Sequence, residues 1–213
     1  MHATLPPRKT KKSSKNFWLK QLHTWHWMSS AICLIGLLLF TVTGFTLNHA
    51  ADIEGTPRST DLSAQLPQSL ITKLKEVAPE GEKGRLPISV AAWLEKELPI
   101  RARNEAEWSD TEIYLPAPRP GGDAWLTIDR ESGAIMGEVS SRGAIAYLND
   151  LHKGRNSSAS WSWFIDLFAA ASLVFAITGL FLLQLHAAKR KSTWPIVALG
   201  LLIPAGIAII TIH

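Results

Sequence analysis

With 213 residues and a single cysteine, the chain can form neither an intrachain disulfide nor a thiolate metal cluster. Its apolar residues concentrate in three blocks, 27–47, 167–183 and 194–212, whereas about 51–155 has the composition of a small soluble domain. The net charge of +4 is unevenly spread, because that middle region holds 17 of the 18 acids and only 13 of the 22 bases. This distribution predicts a membrane part and an aqueous part, and it disfavours a nucleic-acid-binding protein.

The chain begins with a basic segment, 1–15, which we predict to be a disordered cytoplasmic tail attracted to anionic lipid. A helix is expected to start at Asn16. Residues 27–47 are 21 consecutive residues without a charge, enough to cross a bilayer once. We therefore predict a first transmembrane helix over 16–49, acting as an uncleaved signal anchor. One face of this helix carries residues that favour close helix packing, namely Ser29, Cys33, Gly36 and Thr43.

The middle region, 50–150, is predicted to form one small α+β domain with a modest core. Its first part, 50–65, is interpreted as a linker because it contains glycine, proline and serine. Hydrophobic periodicity in the rest of the region predicts helices over 67–79 and 88–98, a strand over 111–116, and a short amphipathic helix over 143–152. The runs AWLTID and AIMGEVS, joined by Arg-Glu-Ser-Gly, predict a β-hairpin in which Gly133 takes a positive φ.

A loop over 151–160 is predicted to lead back to the membrane. The remaining chain reads as a second transmembrane helix (161–186), a cytoplasmic loop (187–193) and a third transmembrane helix (194–213). The basic residues of the N-terminal segment and the short loop place both in the cytoplasm, so the middle domain and the C-terminus lie outside. The predicted fold class is a membrane α-helical protein with three transmembrane helices and an inserted small α+β extracytoplasmic domain.

Five histidines lie at the predicted ends of the first two spans. Topology places three at the cytoplasmic face and two at the outer face: His23, His26 and His186, and His49 and His152. An imidazole at a membrane edge serves as a haem ligand, as a proton carrier or as a plain interfacial anchor, and the residues leave all three roles open. Two neutral imidazoles on opposite sides of a porphyrin would hold a six-coordinate haem b suited to electron transfer. The five histidines are therefore candidate ligands, His49 with His152 outside and His186 with His23 or His26 inside.

The sequence also contains a weak internal repeat. The motifs LH, TG and His occur at 22–23, 43–44 and 49, and again at 151–152, 178–179 and 186. An inverted repeat of this kind places a site between its halves, as in small transporters. Asp166, one turn into the second span, is either a proton carrier or an interfacial carboxylate. The sequence contains no HExxH, no GxSxG and no Gly-rich phosphate loop, so these motifs give no hydrolase or nucleotide site.

The order of these motifs resembles the PepSY-associated transmembrane helix proteins of bacteria. The resemblance rests on the LH…W helix with TG near its outer end, the hairpin TIDRESGAIMGEV, the segment DLHKGR, and a second helix containing TGLFLL. It implies a protein of the bacterial inner membrane with a periplasmic PepSY domain. Larger members of that group include haem-containing reductases that act on ferric siderophores. By this likeness, the five histidines named above stand where membrane-edge haem ligands are expected.

Two functional hypotheses follow. In the first, the chain binds haem b and passes electrons to periplasmic ferric iron or a ferric siderophore, with a homodimer or a second membrane subunit helping to enclose the haem. Whether it would be a reductase by itself or a subunit is open, since three spans and one compact domain leave little room for a flavin or nucleotide. In the second, the chain is a non-enzymatic, membrane-tethered PepSY module that binds a periplasmic protein or peptide.

Overall fold

The computed structural model describes residues 12–53, 55–76 and 82–212. These residues divide into two compact units, one drawn from Met1–Leu38 and Phe164–His213 and the other from Leu39–Trp163. Helices and strands follow one another in the order α1 (Lys12–Asn48), α2 (Ala50–Ile53), β1 (Arg58–Gln65), α3 (Gln68–Glu76), β2 (Lys83–Arg85), α4 (Ile88–Glu97), β3 (Glu105–Trp108), β4 (Glu112–Pro116), β5 (Gly122–Asp129), β6 (Ala134–Ser141), α5 (Ala144–His152), α6 (Ala159–Ala187) and α7 (Thr193–Ile212).

Three of these helices, α1, α6 and α7, are long and apolar enough to cross a membrane. This confirms the prediction of three helices with the length and apolar composition of membrane spans. Apolar side chains surround α6 and α7 on all sides, which is typical of helices that lie in lipid. Helix α1 begins at Lys12, one turn before the predicted start at Asn16. The rest of the predicted tail, 1–11, lies outside the described residues.

Small residues bring α1 and α6 close together, as the sequence predicted for this face of α1. Ser29 and Cys33 are buried, and a Cβ atom at Gly36 would overlap the ring of Phe168 on α6. The missing side chain at Gly36 therefore gives the aromatic ring its space. Helix α7 is linked to α6 by a hydrogen bond in which Trp194 Nε1–H donates to Gln184 Oε1 at 2.8 Å.

The six strands form one sheet in the order β1-β6-β5-β4-β3-β2, and all neighbours are antiparallel. Helices α3 and α4 contribute Ile71, Leu74, Val90 and Leu94 to the core that covers one face of this sheet. The predicted hairpin is confirmed as β5 and β6, and Gly133 has a φ of 74° in its turn. The predicted helix over 143–152 is confirmed as α5.

The interpretation of 50–65 as a linker was wrong. This segment contains α2 and the edge strand β1, which pairs with β6 along all eight of its residues. Only Leu62 on β1 is buried, because an edge strand with one solvated face needs few apolar side chains. Strands β2 and β3 were also not predicted. Helix α3 ends at Glu76, so the last predicted residues, 77–79, lie outside the described part of the chain.

Candidate functional site

Helices α1 and α6 each carry the pattern Phe-x-x-Thr-Gly, at residues 40–44 and 175–179. Residues three apart on a helix lie on the same face, so the phenylalanine and the threonine of each pattern point the same way. In both cases the side chain that meets this face is a histidine from another helix. Each of the two contacts lies within one compact unit.

In the first unit, the pattern on α6 receives His26 of α1. Nδ1 of His26 lies 2.9 Å from Oγ1 of Thr178, and the imidazole stacks on Phe175 with ring centroids 4.9 Å apart and planes 15° apart. Gly179 lies beside the same ring, since a Cβ atom there would come within 3.3 Å of His26 Cε1. The glycine therefore makes room for the imidazole, the phenylalanine supports it and the threonine fixes its rotation.

The hydrogen bonds of Thr178 determine which ring nitrogen of His26 carries the proton. The Thr178 hydroxyl donates to the carbonyl oxygens of Val174 and Phe175, at 2.7 and 3.0 Å. We assign this single proton to the helix backbone, so that the hydroxyl oxygen accepts from His26. The neutral imidazole consequently holds its proton on Nδ1 and keeps the lone pair on Nε2. This is the tautomer that a metal-binding histidine needs when it ligates through Nε2.

In the second unit, the pattern on α1 receives His152 from the end of α5. Oγ1 of Thr43 lies 2.7 Å from Nδ1 of His152, and the imidazole packs against Phe40 with ring centroids 4.9 Å apart. The Thr43 hydroxyl donates to the carbonyl oxygens of Leu39 and Phe40. By the same reasoning, His152 donates from Nδ1 and keeps its lone pair on Nε2.

His26 also borders an open groove of about 630 Å³ on the first unit. A second imidazole, that of His186, lies on the same groove. The remaining lining is apolar or small: Phe175, Ala176, Gly179, Leu180, Leu182 and Leu183. His186 donates from Nδ1 to the carbonyl of Leu182 at 2.8 Å, which again leaves the lone pair on Nε2. One apolar groove thus carries two histidines in the same tautomer.

The surroundings of His152 are more polar. Asp150 is 3% exposed, and its carboxylate accepts hydrogen bonds from the Gly121 amide at 2.8 Å and from Arg142 at 3.0 Å. Arg155 lies 3.2 Å from the other carboxylate oxygen. Asn149 is also buried and accepts a hydrogen bond from the Thr46 hydroxyl at 2.8 Å. Helix α5 is therefore attached to α1 and to the loop before β5 by polar contacts on both sides of His152.

Residues 17–213 match the PepSY_TM-like family. The chain belongs to this family. The match covers nearly the whole length and agrees with the resemblance seen in the motifs. Neither a curated protein nor a solved structure matches the chain. Three apolar helices in a PepSY_TM-like chain indicate a multi-pass membrane protein.

The five candidate histidines of this PepSY_TM-like protein differ in their contacts. His26 and His152 contact a threonine on another helix, and His186 shares a groove with His26. His49 bonds within its own helix, donating from Nδ1 to the Phe45 carbonyl at 3.1 Å and packing on the Phe45 ring. His23 is exposed on α1.

Other candidates have simpler surroundings. Asp166 is exposed on α6. Among the described residues, no three His, Cys, Asp or Glu side chains gather as they would around a bare metal ion.

Sequence reasoning noticed both TG pairs and placed Thr43 on a helix-packing face, but it predicted no contact between either threonine and a histidine. It also aligned His23 with His152, whereas the histidine that meets the second TG is His26. The signal that identifies the pattern is the phenylalanine three residues before each threonine, Phe40 and Phe175, which extends the repeat from two residues to Phe-x-x-Thr-Gly.

Proposed function

We propose that this PepSY_TM-like protein binds b-type haem in the bacterial inner membrane and passes electrons to ferric iron or a ferric siderophore in the periplasm, alone or as a subunit. The observation that carries this proposal is the pair of threonine-held histidines, His26 and His152. In each, a helix hydroxyl engages Nδ1–H and leaves Nε2 of a neutral imidazole free to ligate iron.

The groove beside His26 fits the chemistry of a porphyrin. Its volume of about 630 Å³ lies within the usual range for ligand sites, about 300–1,000 Å³. Apolar walls suit the porphyrin ring, and His26 and His186 supply two candidate axial nitrogens. Bound haem would provide a one-electron couple, and two imidazole ligands favour electron transfer over oxygen binding. His26 is a better inner candidate than His23, because Thr178 and Phe175 hold its ring in place.

His152 and His49 remain the proposed ligands of an outer haem. Thr43 and Phe40 orient His152, and the Phe45 carbonyl orients His49. The ion pairs of Asp150 keep the end of α5, and therefore His152, in position. A homodimer or a second membrane subunit would cover the open side of the groove and exclude water.

Charge distribution supports the proposed orientation. The basic N-terminal segment and the basic loop after α6 favour a cytoplasmic N-terminus, which puts the C-terminus in the periplasm. On this orientation, the residues between α1 and α6 form an inserted PepSY-like α+β domain on the periplasmic side. That domain is then where an electron acceptor would bind.

A haem titration of the purified chain in detergent tests this proposal. We expect a Soret band that saturates with haem, is weakened by His26→Ala or His186→Ala, and is further reduced in a His49→Ala, His152→Ala variant. His23→Ala is the matched control and should leave the band unchanged. A chain that gives no Soret band after haem supplementation, or variants that bind haem as the native chain does, would contradict the proposal.

A second candidate function is supported by the solvent-facing side of the sheet. Tyr114, Trp125 and Met136 are exposed there on three adjacent strands, and the Tyr114 and Trp125 rings stack at 6.3 Å. Exposed aromatic and methionine side chains are enriched at protein interfaces. The alternative is therefore a membrane-tethered PepSY module that binds a periplasmic protein or peptide through this face.

A photo-crosslinking residue at position 127, which lies between Tyr114 and Met136 in the sheet register, tests this alternative. A single periplasmic adduct that disappears in Trp125→Asp, from a preparation without haem, would favour it. A crosslinker in place of Lys83 on β2, an edge strand of the same sheet, provides the control. No adduct specific to position 127 would argue against it.

A further inference from the structure

The unit formed by Leu39–Trp163 contains a cleft that none of the roles above uses. Its volume is about 590 Å³. One wall comes from the segment between α4 and β3 and from the chain between β4 and β5, and the other from α5, the loop after it and the start of α6. The lining contains three prolines, Pro99, Pro118 and Pro120, and the side chains of Ile100 and Trp161.

The charge of this lining is one-sided. Arg101 and Arg119 are its charged residues, and the lining includes no aspartate or glutamate. Three other arginines of the same unit have carboxylate partners, since Arg103 pairs with Glu95, and Arg142 and Arg155 share Asp150. Within the described ranges, neither Arg101 nor Arg119 has a carboxylate within ion-pairing distance. Two arginines thus line a cleft whose own residues supply no counter-charge.

The rest of the cleft combines polar side chains, at Tyr147 and over 156–158, with rigid apolar surfaces. The Trp161 indole is held by a hydrogen bond from Nε1–H to the Leu151 carbonyl at 2.9 Å. Pro99, Pro118 and Pro120 fix the backbone of the facing wall, because each proline restricts its own φ. An indole and three prolines provide flat surfaces that change little when a ligand binds. Together with the arginines, they suit a ligand that has an anionic end and an apolar body.

We propose that this cleft binds a small carboxylic acid with an aromatic or bulky aliphatic body. The guanidinium groups of Arg101 and Arg119 bind the carboxylate, for which arginine offers paired N–H donors. Trp161, Pro118 and Ile100 pack against the apolar body. The cleft's volume is that of a typical small-molecule site, which favours a metabolite-sized ligand over a folded partner. This site does not depend on haem, and the chain without haem binds the acid equally well.

Fluorine NMR of the full chain in zwitterionic lipid nanodiscs tests the proposal. The probe is para-trifluoromethylbenzoate, and its neutral amide, para-trifluoromethylbenzamide, is the matched ligand of nearly equal shape. We expect saturable binding of the acid above that of empty nanodiscs, and much weaker binding of the amide. Loss of charged hydrogen bonds in Arg101→Gln, Arg119→Gln should weaken acid binding about tenfold or more. The control variant Arg58→Gln, Arg85→Gln changes two exposed arginines on the edge strands and should bind normally.

Three results would overturn the proposal. They are the absence of saturable binding by the native chain, equal binding of acid and amide, and unchanged affinity in the Arg101, Arg119 double variant. The single variants Arg101→Gln and Arg119→Gln decide the question if the double variant unfolds, since each alone should weaken binding. Repeating the titration with haem-free protein separates this site from the haem proposal.

Discussion

The same helix pattern receives a histidine at two places in this chain, and the two surroundings differ. His26 meets Thr178 beside an apolar groove that also carries His186. His152 meets Thr43 next to a buried carboxylate that binds two arginines. The hydrogen bond to threonine sets the imidazole tautomer at both places. The other side chains around each imidazole decide which further groups it can contact. A repeated contact therefore does not imply a repeated function, and the two places are best distinguished by changing one neighbour at a time.

The largest expected effect concerns the ion pairs next to His152. Asp150→Asn removes the charge that Arg142 and Arg155 bind and should lower the free energy of unfolding by about 3 kcal/mol. This is the lower end of the usual cost, because both arginines keep partial access to water. Denaturant unfolding in detergent, followed by tryptophan fluorescence, measures it. Asp110→Asn, at an exposed position, should change the value by less than about 0.5 kcal/mol. Equal effects of the two variants would show that these ion pairs do not stabilise this region.

The next-largest expected effect is the loss of stability when the threonine–histidine hydrogen bond is removed at either place. Thr178→Val and Thr43→Val keep the side-chain volume nearly constant but remove the oxygen that accepts from histidine Nδ1–H. Each should lower the free energy of unfolding by about 1–2 kcal/mol, the cost of an unmade hydrogen bond at a partly buried group.

Nitrogen NMR of the imidazoles should at the same time show the Nδ1–H tautomer losing population. Thr211→Val is the matched control, since its hydroxyl donates to the Ile207 carbonyl on its own helix. A tautomer shift in this control, or none in the two test variants, would count against the assignment.

Replacing glycines by alanine should change thermal stability by smaller amounts that depend on the space at each position. A Cβ atom would come within 3.3 Å of His26 at Gly179, within 3.6 Å of His152 at Gly44, and near no atom within 4 Å at Gly200. Alanine gains up to about 1 kcal/mol of helix propensity over glycine. Gly200→Ala and Gly44→Ala should therefore raise thermal stability, while Gly179→Ala should lose that gain because the imidazole must move. Equal stabilisation by all three would mean that His26 has more space than its contacts indicate.

The smallest expected effect concerns the carboxylate of Asp129 in the hairpin turn between β5 and β6. Hydrogen bonds from the Ser132 hydroxyl and then from the Ser132 and Glu131 amides hold the pKa of Asp129 below its ordinary value of 3.8. A lowered pKa in the folded chain stabilises it above pH 3.8, and this contribution is lost as the pH falls through the folded value. Ser132→Ala should therefore shift acid unfolding slightly upward in pH. An unchanged acid transition would show that the turn does not contribute.

Much of the fold could be predicted because the sequence patterns that indicate its helices and hairpin lie within short stretches of the chain. A charge-free run predicts a span, and Arg-Glu-Ser-Gly between two alternating runs predicts the β5–β6 hairpin. Strand β1 could not be predicted in this way. Its residues, RSTDLSAQ, contain one leucine and one alanine, and they form a strand because β6 offers an unpaired edge. Such pairing depends on residues about 75 positions away, which no local pattern shows.

For the candidate site, the sequence shows which residues are available but not which of them are in contact. Histidines at helix ends are visible in the sequence, and so are the TG pairs. Which histidine meets which threonine depends on the rotation of each helix about its axis. His23 and His26 are one turn apart on α1, yet only His26 reaches Thr178. The tautomer follows from hydrogen bonds between helices, and these exist only after the helices have packed.

The most direct test of the haem proposal is a reduced-minus-oxidised absorbance spectrum of the native chain, purified in detergent after expression with added haem precursor. Two imidazole ligands predict sharp α and Soret bands of a low-spin b-type haem, and these bands should be lost when His26 and His152 are both replaced by alanine. A featureless difference spectrum, or one that the double replacement leaves unchanged, would contradict the account.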